Sequence, residues 1–348
     1  MLFVKQDRME DAWNGKARDG VQHTRQSLRQ ADRMTATHPT EEQQAAALVS
    51  GCLQEPVQSV MPIVGKGIVN RVFIVRTAQA EVVVRMREDA LSDYRKERWC
   101  LEQAAARGVP GPSVLALGEA ETVAYLLQSR VPGENGEDRP DAAEHLWREI
   151  GRYARAIETI PVTGFGEELT DPERGVFGDS HVSAWRDFVT YNIESLTDTD
   201  PLLQLNVLTR AQSSQARRLF EEIRDREFSI GLHHGDLSLK NTHLAADGTV
   251  YLLDWGSAAA DLSPQAALMN VLKSHLLTND PDAAGFRAFL AGYGLSPSAF
   301  EAMRPELDTL LLLRAFDLVR YALDRSPEDI VLYAEQARQM LRRKLASA

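Results

Sequence analysis

The stretch that decides the reading of this chain is His234-Gly235-Asp236-Leu237-Ser238-Leu239-Lys240-Asn241, followed by Leu252-Leu253-Asp254-Trp255-Gly256. Asp236 stands five residues before Asn241 and eighteen before Asp254. Between them, Asp247-Gly248 sits between two short apolar runs, which predicts a β-hairpin. A loop feeding that hairpin returns Asp236 and Asn241 to the side of Asp254.

Two carboxylates and a carboxamide gathered in this way suit phosphoryl transfer. One carboxylate takes the proton of an attacking hydroxyl. The amide oxygen and the second carboxylate hold Mg²⁺ against nucleotide phosphates. The spacing matches the kinase catalytic loop and its metal-binding aspartate, with Gly235 in place of an arginine and Trp255 in place of a phenylalanine. A His-Gly-Asp alone would be read as a turn. Asn241 and Asp254-Trp255-Gly256 together argue against that.

His-Gly-Asp-x-x-x-x-Asn with Asp-Trp-Gly resembles the aminoglycoside phosphotransferase family. The resemblance implies an α+β, protein-kinase-like two-lobed fold, with a small strand-rich N-lobe and a larger, mostly helical C-lobe. It implies Asp236 as the catalytic group, Asn241 and Asp254 as Mg²⁺ ligands, and ATP or GTP as co-substrate. The acceptor would be a hydroxyl of an aminoglycoside-like molecule, with an antibiotic-modifying role. Alternatives are a kinase for another small alcohol (macrolide, choline-like, sugar or amino-acid alcohol) and a non-catalytic nucleotide-binding module. Gly235, Trp255 and the lack of an Ala-Pro-Glu segment after Gly256 disfavour a protein kinase. His234 reads as a packing and hydrogen-bonding element of the loop.

Bulk properties agree with an ordinary soluble protein. The 348 residues are 44% apolar and 26% charged, enough for two lobes. A formal net charge of −11 argues against nucleic acid or a membrane surface as partner. Two cysteines, Cys52 and Cys100, support no disulfide framework, and no apolar run approaches a membrane span. The expected partners are a nucleotide and a small hydroxylated substrate, in a cytoplasmic setting. Nothing in the sequence specifies an oligomeric state.

Residues 1–39 read as a tail without fixed structure, with Met34 an alternative start. Residues 40–133 read as the nucleotide-binding lobe and 134–348 as the catalytic and acceptor-binding lobe. Thr40 and Gln43 form a capping-box pattern before a helix. Strands follow at Val57 to Val64, Val69 to Arg76 and Glu81 to Met86. Gly65 and Gly67, in the first turn, would let the backbone approach a phosphate, with Lys66 beside them. Strand alternation puts Arg85 opposite Val82, Val84 and Met86, so Arg85 is the expected phosphate contact, with Arg87 its rival. In the next helix, Glu97 is the expected partner that holds this cation, ahead of Glu102.

Two further strands (Val114 to Leu117 and Val123 to Leu127) and a crossing segment to Pro140 complete the first part. The second part reads as helices at Asp141 to Ile160, Leu202 to Glu227, Gln265 to Leu277, Asp282 to Tyr293, Pro297 to Leu323 with a break near Pro305, and Pro327 to Leu345. Pro161 to His181 reads as a long loop and Ala258 to Asp261 as a turn. Gly164-Phe165-Gly166 followed by Trp185-Arg186-Asp187-Phe188 resembles the hygromycin phosphotransferase branch. Asp261 is the expected acceptor contact. Glu301, Asp317 and Asp324 are further carboxylates available to a cationic acceptor.

Overall fold

Alternation of buried and half-buried positions along β-branched runs builds the first part of the chain. The structure, a computed structural model, describes residues 39–63, 71–120, 122–178 and 184–346. Its contacts divide the chain into two units between Met86 and Arg87. Gly65 and Gly67 lie outside the described residues.

The smaller unit opens with α1 (Glu41–Leu53), which the expected capping box starts: Thr40 and Gln43 each accept from the other's backbone N–H. Three strands follow, β1 (Val57–Pro62), β2 (Arg71–Thr77) and β3 (Glu81–Glu88). β2 pairs antiparallel with both β1 and β3. Val82, Val84 and Met86 are buried, while Val83 and Arg85 on the other face are half-buried. Each such aliphatic side chain contributes roughly 1.5–3 kcal/mol through burial.

The larger unit begins with α2 (Leu91–Ala105) and an antiparallel hairpin of β4 (Val114–Ala120) and β5 (Val123–Ser129). β6 (Glu134–Asn135) leads to α3 (Ala143–Ile157). The predicted stripe of Leu146, Ile150, Tyr153, Ala154 and Ile157 is buried in the main core.

Pro161 to His181, expected as an open loop, instead contains β7 (Thr163–Gly164), β8 (Glu168–Asp171) and β9 (Val176–Gly178), joined in the order β7-β9-β8. Next come α4 (Trp185–Glu194), α5 (Pro201–Gln204) and α6 (Arg210–Arg224). The single helix expected from Leu202 to Glu227 is thus two. Asn206 takes a left-handed φ of 52°, and Thr209 with Gln212 forms a second capping box that starts α6 afresh.

β10 (Ser229–His233) leads into the quoted stretch. β11 (Thr242–Leu244) and β12 (Val250–Leu252) form the predicted hairpin, with Gly248 at a φ of 86° in its turn. β6 adds to the other side of β11. The expected turn at Ala258 to Asp261 is strand β13 (Ala259–Ser263), antiparallel to β10 with Gly231 opposite Asp261. Four helices end the chain: α7 (Gln265–Thr278), α8 (Ala283–Tyr293), α9 (Pro297–Arg325) and α10 (Ile330–Ala346). α9 passes Pro305 without the expected break. Thr309 Oγ1 and Lys344 Nζ donate to the Pro305 carbonyl at 3.0 and 2.8 Å. Among the described residues, no helix is long and apolar enough to cross a membrane.

Candidate active site

A closed ring of four hydrogen bonds holds the quoted stretch in shape. The Asp236 backbone N–H donates to His234 Nδ1 at 3.3 Å. His234 Nε2 donates to the Leu253 carbonyl at 3.0 Å. The Leu253 N–H donates to the Asn241 carbonyl at 2.8 Å, extending the hairpin ladder by one step. Asn241 Nδ2 donates to the Asp236 carbonyl at 2.9 Å and closes the ring. Asp236, Asn241 and Leu253, the residue before Asp254, are therefore neighbours although Leu253 follows Asp236 by seventeen positions.

The ring sets the chemistry of its members. His234 is 1% exposed and packs edge-on against Trp255, with ring centroids 4.7 Å apart. One of its nitrogens accepts and the other donates, which only the neutral ring can do. Burial also depresses its pKa, with Asp236 opposing. His234 is thus a brace of the loop, as read from the sequence. Asn241 spends its NH₂ on the Asp236 carbonyl, which leaves Oδ1 as the oxygen for a cation.

Gly235 has to be glycine here. Its φ is 86°, and a Cβ would lie 1.9 Å from the Ser257 carbonyl oxygen. An arginine cannot replace it in this backbone.

Asp254 takes a left-handed φ of 59°, a conformation that aspartate tolerates better than most residues. A Cβ added at Gly256 would meet Asp254 Oδ1 at 3.5 Å and Glu97 Oε1 at 3.4 Å. Two carboxylates thus approach the same glycine. Glu97 is 3% exposed, whereas its rival Glu102 pairs with Arg98 on the surface. Neighbouring Lys96 is buried too, and donates to the carbonyls of Gly256 at 2.8 Å and Ala258 at 3.1 Å. α2 is thereby pinned to the loop after Asp254. Arg85 lies in the smaller unit, and its rival Arg87 pairs with Asp93.

The donor set fits Mg²⁺. Asn241 Oδ1 and the Asp254 carboxylate are hard oxygens, and this ion normally takes one or two protein ligands and completes its shell with water and phosphate. Among the described residues, no group of three or more His, Cys, Asp and Glu forms a metal cage.

Two residues that sequence reasoning did not single out complete the loop. Asn270 on α7 donates through Nδ2 to the Gly235 carbonyl at 3.1 Å and accepts the Leu237 N–H at 2.9 Å. It clamps both sides of Asp236 from thirty-odd residues away, a contact no local spacing reveals. Lys240 Nζ lies 2.9 Å from Asp236 Oδ2, a half-exposed ion pair between residues four positions apart.

Beside Gly235 a cavity of about 310 Å³ opens within the larger unit. Asp261 and Asp317 line it, whereas Glu301 and Asp324 are exposed and do not. Arg314 Nη2 donates to both oxygens of Asp261 at 2.7 Å. The arginine is fixed over Phe165, Trp185 and Phe188, with its guanidinium carbon 5.7, 5.9 and 4.5 Å from their centroids. The Gly-Phe-Gly and Trp-Arg-Asp-Phe segments thus supply one aromatic platform.

Comparison with known proteins follows this geometry. Residues 61–306 match the model of the phosphotransferase enzyme family. Among curated proteins, none matches the sequence. Among solved structures, aminoglycoside phosphotransferase APH(4)-Ia is 21% identical with a TM-score of 0.63, over 86% of this chain and 97% of that one. Spectinomycin phosphotransferase APH(9)-Ia, in complex with ADP and spectinomycin, is 12% identical with a TM-score of 0.54, over 89% and 99%. A putative fructosamine-3-kinase from Haemophilus somnus 129PT is 11% identical with a TM-score of 0.56, over 86% and 96%. Likeness at such identities establishes the kinase-like fold. The family model spans well over half the sequence, and on that match the chain belongs to the phosphotransferase enzyme family.

Proposed function

We propose that this protein transfers the γ-phosphate of ATP or GTP to a hydroxyl of a small molecule. The observation that carries the reading is the ring of hydrogen bonds that ties Asp236 and Asn241 to Leu253, the residue before Asp254. Asp236, with its carboxylate accessible, takes the proton of the acceptor hydroxyl as it attacks in line. Asn241 and Asp254 hold Mg²⁺, which neutralises charge on the phosphates. Glu97 and Asp254 both approach Gly256, and Arg85 and the glycines at 65 and 67 are proposed on sequence alone as phosphate contacts. Residues 40–133 serve the nucleotide and 134–348 the chemistry and the acceptor. Fixed positioning and charge neutralisation carry most of the rate.

For the acceptor, an aminoglycoside and an antibiotic-modifying role are supported by likeness of fold to enzymes whose structures hold ADP with hygromycin B or spectinomycin. The aromatic platform adds the hygromycin branch to that reading. One observation favours a second class, another small alcohol. Asp261, the carboxylate expected to meet a cationic acceptor, already has both oxygens on Arg314.

Asp236→Asn tests the reading. Phosphate transfer from labelled ATP falls about 10²–10⁴-fold, the usual worth of a positioned base, with nucleotide affinity little changed. Unchanged transfer would remove Asp236 from its role.

A further inference from the structure

The cavity beside Gly235 holds more charge than its volume suggests, and most of it is spoken for. Asp261 is held bidentately by Arg314. Asp317 accepts from Asn192 Nδ2 at 3.2 Å, and burial pushes its carboxyl above the usual range, against Asn192, Arg314 and Arg320. Glu167 is itself engaged. His233 is neutral at pH 7, its pKa depressed to about 4, chiefly by burial.

Lys273 is different. It lines the same cavity, and among the described residues it has neither a hydrogen bond nor an ion pair. It follows Asn270 by three positions on α7, so the two share a helix face. Asn270 is the residue that clamps the Asp236 loop. Lys273 therefore lies on the side of α7 that meets the loop carrying Asp236; burial lowers its pKa, and the Asp236 charge opposes that shift. Asp236 meanwhile has Lys240 at 2.9 Å. The acceptor side of the site thus carries Asp261 paired with a cation, Asp317 hydrogen-bonded and raised in pKa, and one lysine unspent.

We infer that the acceptor is a compact hydroxylated anion, its carboxylate or phosphate group held by Lys273 while its hydroxyl meets Asp236. This rests on the phosphotransferase reading and narrows it. The cavity volume, at the small end of ligand pockets of ~300–1,000 Å³, agrees with a compact acceptor. A polycation would meet Lys273 beside an Asp261 whose charge Arg314 already balances. In the transfer, the acceptor oxygen bonds to the γ-phosphorus, the bridging bond to ADP breaks, and the hydroxyl proton passes to Asp236.

The experiment presents the full-length protein, Mg²⁺ and labelled ATP with four acceptor sets: hydroxycarboxylates, sugar phosphates, neutral polyols and aminoglycosides including hygromycin B. Wild type, Lys273→Met, Lys273→Arg, Lys273→Glu and Asp236→Asn are compared. The inference expects anionic acceptors to be preferred over cationic ones by about tenfold or more in kcat/KM. It expects Lys273→Met to raise the KM for the anion by about tenfold, as loss of ground-state binding does, and Lys273→Arg to restore it. Lys273→Glu should invert the preference. The first two sets separate a carboxylate from a phosphate as the recognised group. Turnover that depends on Asp236 yet favours cations or neutral polyols, or ignores the charge at position 273, would overturn the inference alone. Absence of transfer to every acceptor, together with no binding of MgATP, would overturn the phosphotransferase reading and the inference with it.

Discussion

The catalytic loop and the cavity beside it lie within a few residues of each other, yet they are built on opposite plans. The loop draws its groups from one short span, 234–256, and ties them with bonds that return on themselves. The cavity draws Gly166, His233, Asp261, Lys273 and Arg314 from five separate segments. On the proposed reading, a reaction shared by many enzymes is carried by a compact, self-bracing unit. On the same reading, the choice of acceptor falls to residues that meet only through tertiary packing.

Substitutions in the loop should therefore damage transfer to every acceptor, and those in the cavity should change which acceptor is used. The largest effect on nucleotide binding is expected at the proposed metal site. Asp254→Ala should weaken MgATP binding by roughly 100-fold, about 3 kcal/mol, in a calorimetric titration. Equal affinity in the variant would separate Asp254 from the nucleotide.

The paired histidines give the next effect, on stability. His234 braces the loop and His233 borders the cavity, and burial depresses both pKa values. Each is held neutral in the fold, so the unfolded chain binds more protons below its unperturbed pKa of about 6.5. Stability should be flat above that pH and fall between about 6.5 and 4, by roughly 2–3 kcal/mol for His233. Denaturant titrations across that window check it, and a slope of opposite sign would contradict the assigned neutral state.

Asn270→Ala comes third. It removes two neutral hydrogen bonds that hold Asp236 in place, and turnover should drop about tenfold with nucleotide affinity retained. Arg314→Met is expected to be the mildest for transfer itself. It frees the Asp261 carboxylate, so use of cationic acceptors should rise a few-fold relative to anionic ones. An equal loss with all acceptors would erase the distinction between the two regions.

This division also explains what could be read from the residues in order. The hairpin, the capping box at Thr40, the α3 stripe and the grouping of Asp236 with Asn241 and Asp254 all depend on local spacing, and spacing is visible. β10 and β13 were not foreseen, because Ser229–His233 and Ala259–Ser263 are too short to show a period, and each becomes a strand only by pairing with the other. Glu97 is legible as the helix glutamate beside a cation, but its neighbour Lys96 stands in a charged run with no local sign of burial. Their burial comes from the docking of α2 onto Gly256 and Ala258. Asp261 was visible as an acid near the metal motif, but its partner stands 53 residues on. Nothing near Asp261 in sequence announces that its charge is already balanced.

Asp236 and Asp254 are expected to act as one unit, because the ring that holds Asp236 also holds Leu253, the residue before Asp254. A double-mutant cycle on kcat/KM, with Asp236→Asn, Asp254→Ala and the pair, tests it most directly. Groups that work together lose nearly everything at the first substitution, so the double variant should be within a few-fold of the slower single variant. Losses that multiply in full would mean that the two carboxylates serve independent steps.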